Sequence, residues 1–244
     1  MYEETASAGV PGAVLWQVED GAGVVLPDGC MDLLWAGGRL LVAGPDTGPH
    51  PAGEVHAGAV AGIRLAPGTA PALLGVPAHV LRDRRVALAD LWPAREVRRL
   101  TGLVAAYRDP RAGLEAVARA RAADTGPADP LAAEVVARLR AGQPVAAIAA
   151  AAGLGERQLH RRSLDAFGYG PRKLGRILRL RRALALADGG LPYAEVAHAA
   201  GYADQAHFAR EVRALAGTTL TAYSGGAAGA KRETPQPSGS RTTA

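Results

Sequence analysis

Two stretches of the chain carry side chains suited to reading a polyanion, and they are spaced alike. "IAAAAGLGERQLHRRS" (148–163) overlays on "VAHAAGYADQAHFARE" (196–211), with Ile148, Ala149 and Gly153 falling on Val196, Ala197 and Gly201 at an offset of 48. With one extra residue in the second turn, Leu159 matches Phe208, Arg161 matches Arg210 and Gly168 matches Gly217. Each copy then reads as a short helix, a turn of about four residues and a second amphipathic helix, the unit whose second helix can enter a major groove. Alanine suits a point where two helix backbones pass closely, and glycine tolerates the positive φ of such a turn. Asp204 is placed to cap the second helix of the second copy, and Gly155 is the plainer cap in the first. An arginine on such a helix can pair bidentately with O6 and N7 of guanine, a contact worth about 1–3 kcal/mol of discrimination.

The elements that must position these residues follow from the pattern. The repeats are joined by "PRKLGRILRLRRALALAD", residues 171–188, with proline in its first turn and Gly189-Gly190 closing it. At 1.5 Å per residue this helix spans about 27 Å, near enough to the roughly 34 Å repeat of B-DNA for two helices to enter successive major-groove turns on one face. It carries Arg172, Lys173, Arg176, Arg179, Arg181 and Arg182; some, Arg176 among them, are expected to neutralise phosphates and others to cross-link the two subdomains. Upstream, the first ninety residues hold short apolar runs punctuated by Gly and Pro, and "WAGGRLLVAG" reads as two strands joined by a Gly-Gly turn. A small β-barrel or sandwich is expected there. The period then changes: "LADLWPAREVRRLTGLVAAY" places Leu91, Val97, Leu100, Leu103 and Val104 near one helical face with Asp90 as cap. A second helix is opened by Asp109 and Pro110.

The fold class is therefore α+β with two domains: a β-rich unit over 1–123 that ends in two helices, a linker at 124–130, an all-α domain over 131–224, and a tail at 225–244 disordered by composition. Charge follows the same division. Residues 1–110 hold 9 basic and 12 acidic side chains, residues 129–224 hold 13 and 8, and the whole chain carries +5. That asymmetry suits one domain meeting a polyanion while the other does not. Arginine outnumbers lysine 26 to 2, a bias that together with the Ala and Gly abundance reflects base composition. No apolar run approaches a membrane span, and "MYEETASAGV" lacks a basic start followed by an apolar stretch, so a soluble, cytoplasmic protein without membrane contact is expected. Cys30 has no internal partner for a disulfide. No phosphate loop, nucleophile elbow or zinc spacing is present.

"ERQLHRR", "LRLRRALALA" and "AGYADQAHFAREVRALAG" resemble the DNA-binding domain of the AraC/XylS family of transcription regulators, over residues 129–224. Two departures stand out: Ser163 where that family usually has a core aromatic, and Leu220 where a proline commonly follows G-x-T. "LPDGCMDLLW", "VAGPDT" and "GIRLAPG" resemble, more loosely, a sensor-like domain found ahead of this DNA-binding domain in actinobacterial regulators. The resemblance implies that Arg157, Gln158, His160 and Arg161 in the first reading helix, and Gln205, Ala206, Ala209 and Arg210 in the second, face bases or adjacent phosphates. Ala206 and Ala209 can offer only methyl contacts, for instance to thymine. It also implies double-stranded promoter DNA as partner, RNA polymerase and a small-molecule effector as further partners, a homodimer through the helices at about 94–122, no cofactor and no enzymatic activity. Two other readings of residues 1–123 stand beside this one: a small-molecule enzyme tethered to DNA, and a protein-interaction module.

Several residues read as structural. His207 is expected at the turn, Phe208 and Leu159 in the core, and Arg213 on a solvated face. Arg162 and Glu211 occupy matched positions and are expected to be exposed in both copies. His50, His56 and His79 with Glu54 do not follow the His-x-His order of a barrel metal site, and Cys30 reads as a buried structural thiol.

Overall fold

The computed structural model describes residues 2–19, 23–52 and 58–226. The N-terminal unit is built on an antiparallel sheet of β1 (Tyr2–Ala6), β2 (Val14–Val18), β4 (Met31–Ala36), β5 (Arg39–Ala43), β7 (Val60–Leu65) and β8 (Arg85–Ala87), in the order β1-β2-β7-β4-β5-β8. A separate ribbon pairs β3 (Val24–Val25) with β6 (His50–Pro51). The expected hairpin is present: Ala36 faces Arg39, and Gly37 and Gly38 both take positive φ, as a two-residue hairpin turn requires.

The sheet is open, not closed into a barrel. Its inner face (Leu15, Leu33, Val42, Ile63, Leu65) is covered instead by helices α1 (Ala70–Leu74), α2 (Ala94–Ala105) and α3 (Pro110–Thr125), which bury Leu73, Leu100, Val104, Leu114 and Val117. Helices satisfy that apolar face as well as closure would, so the edges need not meet. On the opposite face Asp32 lies directly across from Arg64, and Trp16 lies over Gly62, where a Cβ would sit 2.3 Å from its ring.

Helix α2 starts later than expected. Asp90 ends a short 3-10 turn, and the helix opens after Pro93, whose ring presets φ at −56°. Leu91 therefore lies outside it. The neighbouring Trp92 is buried, donating from Nε1 to the Leu74 carbonyl at 2.8 Å, with the Arg121 guanidinium 4.2 Å from its ring centroid. Helix α3 opens as expected, with the Asp109 carboxylate accepting the Arg111 amide at 2.9 Å.

After residues 126–129 the chain is helical: α4 (Pro130–Arg140), α5 (Val145–Ala151), α6 (Glu156–Phe167), α7 (Pro171–Asp188), α8 (Tyr193–Ala199), α9 (Gln205–Ala216) and α10 (Leu220–Gly226). These seven share one core in which Leu159, Leu174, Ile177, Leu180, Val196, Phe208, Val212 and Leu215 are fully buried. Leu26 of the N-terminal unit packs against that same core. The tail expected to be disordered lies, from residue 227, outside the described residues, as do Glu54 and His56.

Candidate nucleic-acid interface

The two halves of the repeat fold alike at the level of single hydrogen bonds. Leu154 donates its amide to the Ala149 carbonyl at 2.9 Å, and Tyr202 donates to Ala197 at 2.8 Å. Both alanines are buried, and Gly153 and Gly201 take φ of +66° and +80°. Each second helix is anchored by one large apolar side chain, Leu159 in α6 and Phe208 in α9, both at 0% exposure. Each ends on a left-handed glycine, Gly168 or Gly217, whose amide closes back onto Leu164 or Arg213.

Their caps differ as the residue types dictate. The Asp204 carboxylate accepts the His207 amide at 2.6 Å, which satisfies one of the open donors of the first turn. Gly155 has no side chain to offer; instead the Gln158 side-chain oxygen accepts the Gly155 amide at 3.0 Å. His207 is structural: its ring stands edge-on to Tyr202, and Nδ1 accepts the Ala203 amide at 3.4 Å.

On α6, Arg157, Gln158, His160 and Arg161 are all exposed. His160 also lies over Gly170, where a Cβ would come within 2.5 Å of the imidazole. On α9, Gln205, Ala206 and Arg210 are exposed, while Ala209 is half-buried against the core. Both helices thus present an outward face with an arginine at the matched position, Arg161 or Arg210.

The connecting helix does more holding than its charge suggests. Arg176 forms a two-pronged ion pair with Glu211 of α9, Nε at 3.0 Å and Nη2 at 2.8 Å, and this bonding holds the guanidinium pKa above its ordinary value. Glu211, expected in solvent, is 14% exposed and paired, whereas its counterpart Arg162 is exposed. The difference arises because α9 packs beside α7 and has a guanidinium to meet. Arg179 lies 5.5 Å from the centroid of the Tyr202 ring. Burial and the neighbouring Arg176 push the Lys173 pKa down, opposed by Asp83. Arg181 acts electrostatically on Glu4 and Cys30 of the N-terminal unit. Sequence reasoning missed the Arg176–Glu211 pairing, which joins residues 35 positions apart and leaves no local signal.

Of the two departures in the family pattern, Ser163 is 1% exposed with no hydrogen-bond partner for its hydroxyl, and Leu220 is buried. Cys30, expected to be buried, is half-buried, and desolvation raises its thiol pKa well above the ordinary value, with Asp28 adding to the effect. Among the described residues, no group of three or more His, Cys, Asp or Glu side chains is disposed to hold a metal ion, and no helix is long and apolar enough to cross a membrane. His79 lies beside Asp165 at 3.2 Å.

Two matched, arginine-bearing helices, each packed on a short helix through two buried residues (Ile148 and Ala149, or Val196 and Ala197) and tied together by an 18-residue helix, form a tandem helix-turn-helix arrangement. Residues 135–225 match the family described as a helix-turn-helix domain, HTH_18, and residues 13–87 match a domain of unknown function, DUF6597. The chain thus carries an AraC-type helix-turn-helix DNA-binding domain, of the kind found in transcription regulators, behind an N-terminal domain of unknown function. Comparison with curated proteins finds no match. Among solved structures, the apo K231A variant of ToxT from Vibrio cholerae strain SCE256 is similar at 11% identity and a TM-score of 0.49, over 87% of this chain and 96% of that one. ToxT from Vibrio cholerae O395 is similar at 8% identity and a TM-score of 0.45, over 91% and 96%. An unsaturated fatty acid-bound ToxT from strain SCE256 matches at 10% identity and 0.46, over 86% and 93%.

Proposed function

We propose that this regulator reads promoter DNA in the cytoplasm by setting α6 and α9 into successive major grooves. Arg157, Gln158, His160 and Arg161 contact one segment, and Gln205, Ala206, Ala209 and Arg210 the other. The observation that carries this reading is the equivalence of Arg161 and Arg210, both exposed on helices whose buried anchors, turn hydrogen bonds and terminal glycines correspond. Arg176 supports the second head through Glu211. Residues 1–123 act as a sensing and dimerising unit without enzymatic activity, responding to a small-molecule effector and altering the contact of the DNA-bound protein with RNA polymerase.

The first test is selection from a random duplex pool by the full-length protein at near-physiological salt. Two informative blocks about one helical turn apart are expected. Arg157→Ala should relax base preference in one block and Arg210→Ala in the other, each by about 1–3 kcal/mol. Selection patterns unchanged by both substitutions would remove these arginines from the reading surface.

A further inference from the structure

The Gly- and Pro-bearing stretches of the N-terminal unit, "LPDGC" (26–30), "VAGPDT" (42–47) and "GIRLAPG" (62–68), converge on the DNA-binding domain. Gly29 lies against Leu174 of α7, with a Cβ there meeting Leu174 Cδ1 at 3.0 Å. Gly68 lies against Ala132 and Phe167, with a Cβ there meeting them at 2.6 and 2.8 Å. Pro45 covers Gly168, where a Cβ would come within 2.4 Å of the proline ring. Arg82 donates from Nη1 to the Gly168 carbonyl at 3.1 Å, and His79 meets Asp165 one turn earlier on α6. Four residues after Pro45, Pro49 touches Gly217, where a Cβ would sit 3.0 Å from its ring. Gly168 and Gly217 are the equivalent residues that end the two reading helices. One short loop, residues 45–49, therefore abuts the same point on both heads.

That loop is held from every side. Asp46 accepts two hydrogen bonds from Arg85 at 2.8 and 2.7 Å, in a pair only 8% and 12% exposed. The Asp83 carboxylate accepts from the Thr47 amide at 2.6 Å and from its hydroxyl at 2.9 Å, while the Asp83 amide donates to the Pro45 carbonyl at 3.1 Å. Asp83 itself sits at φ +57°, a conformation a non-glycine residue keeps only where its surroundings over-determine it. Gly44 passes so close to Leu81 that no side chain fits between them.

We propose that residues 45–49, backed by His79 and Arg82, act as a gauge that fixes the separation and tilt of the two reading helices. The N-terminal unit thereby determines which spacing between half-sites the protein accepts. This rests on the reading that α6 and α9 enter the DNA. The lever is long: each reading helix has 12 residues, about 18 Å. A tilt of about 10° at the terminal glycine thus moves the far end by about 3 Å, close to the 3.4 Å rise of one base pair. A clamp at the C-terminal ends accordingly sets register at the ends that read. Pro45, Pro49, His79 and Arg82 are positioning residues; they need not touch DNA.

The test uses full-length protein, the random duplex pool and the two-block site it yields. Arg82 and Pro49 are both exposed, so the double variant Arg82→Ala/Pro49→Ala empties no core. The native protein is expected to bind a site lengthened by one base pair about tenfold more weakly than its preferred site, the scale of one mismatched pair. The variant should accept both spacings almost equally while keeping its base preferences within each block. Arg82→Lys, which still offers a donor to the Gly168 carbonyl, should retain the native discrimination. A uniform loss of affinity with spacing discrimination intact would overturn the proposal and leave the clamp a stability contact. Native protein that selects no two-block site would overturn the gauge and the reading of α6 and α9 together. Arg157→Ala distinguishes reading from positioning on the selected site: it should change one block's sequence without changing the accepted spacing.

Discussion

At the scale of single residues, the outcome depends on which polar groups find partners. Ser163 stands at a core position of α6 with its hydroxyl buried and unpaired, and an unsatisfied buried group costs more than its absence. Ser163→Ala is expected to leave stability unchanged or raise it by up to about 1 kcal/mol, read as the urea midpoint; a clear loss would mean that the hydroxyl has a partner in solution. Glu211 shows the converse. From its place in the repeat it reads as a solvated face residue, yet it is the acidic half of the firmest bond between α7 and α9. Nothing local in the sequence distinguishes a carboxylate facing water from one facing a guanidinium 35 residues away.

At the scale of elements, the arginines of α7 show how charge on a helix divides between ligand and scaffold. If Arg176 supports α9 through Glu211, Arg176→Ala and Glu211→Ala should weaken DNA binding similarly, and a double-mutant cycle should give a coupling of about 1 kcal/mol. The salt dependence of binding should not change with Arg176→Ala. A fall of about 0.9 in the slope of log K against log[salt] would instead show a lost phosphate contact. In the sheet, burial raises the Asp32 carboxyl pKa to about 6, against the pull of Arg64 directly opposite; Asp28 reinforces the rise and the Trp16 Nε1 hydrogen bond opposes it. Its folded pKa lies above the ordinary value of about 3.9, so between about pH 4 and pH 6 the folded state binds more protons than the unfolded state. Stability from this group is complete below about pH 4 and declines as pH rises through about 6. Asp32→Asn should remove that decline from a urea-midpoint series across pH 4–6. Glu115 and Asp109, whose pKa values are lowered chiefly by hydrogen bonds from Ser7 and Arg111, favour the opposite slope and are common to both proteins.

At the scale of the whole molecule, the N-terminal unit and the helical domain share contacts that a separately hinged pair would lack: Leu26 in the C-terminal core, Gly29 on Leu174, Gly68 on Phe167, Pro45 on Gly168. Full-length protein is therefore expected to unfold in a single calorimetric transition. Arg82→Ala combined with Pro45→Ala should split it into two or broaden it; two resolved transitions in the native protein would show that the interface contributes little cohesion. Under the proposed function, coupling of this kind would give an effector a physical route to DNA, since the loops around residues 26–30 and 44–49 pack against the DNA-binding domain and residues 45–49 against the ends of α6 and α9.

Local chemistry by itself determined much of this protein. Asp204, Gly153, Gly201, Gly168, Gly217, Pro171 and the Gly37-Gly38 turn each act through neighbours a few residues away, so the repeat, the long connecting helix and the β4–β5 hairpin were all legible in the chain. The start of α2 was not: Pro93 overrode the cap expected at Asp90, and Trp92 turned inward to meet Leu74. Tertiary structure alone decided that the sheet stays open under three helices, that Arg176 faces Glu211, and that the loop from Pro45 to Pro49 bridges the ends of α6 and α9. Each of these joins residues far apart in sequence, and such contacts are set by which surfaces meet when the cores close, information that no periodicity or spacing within one segment contains.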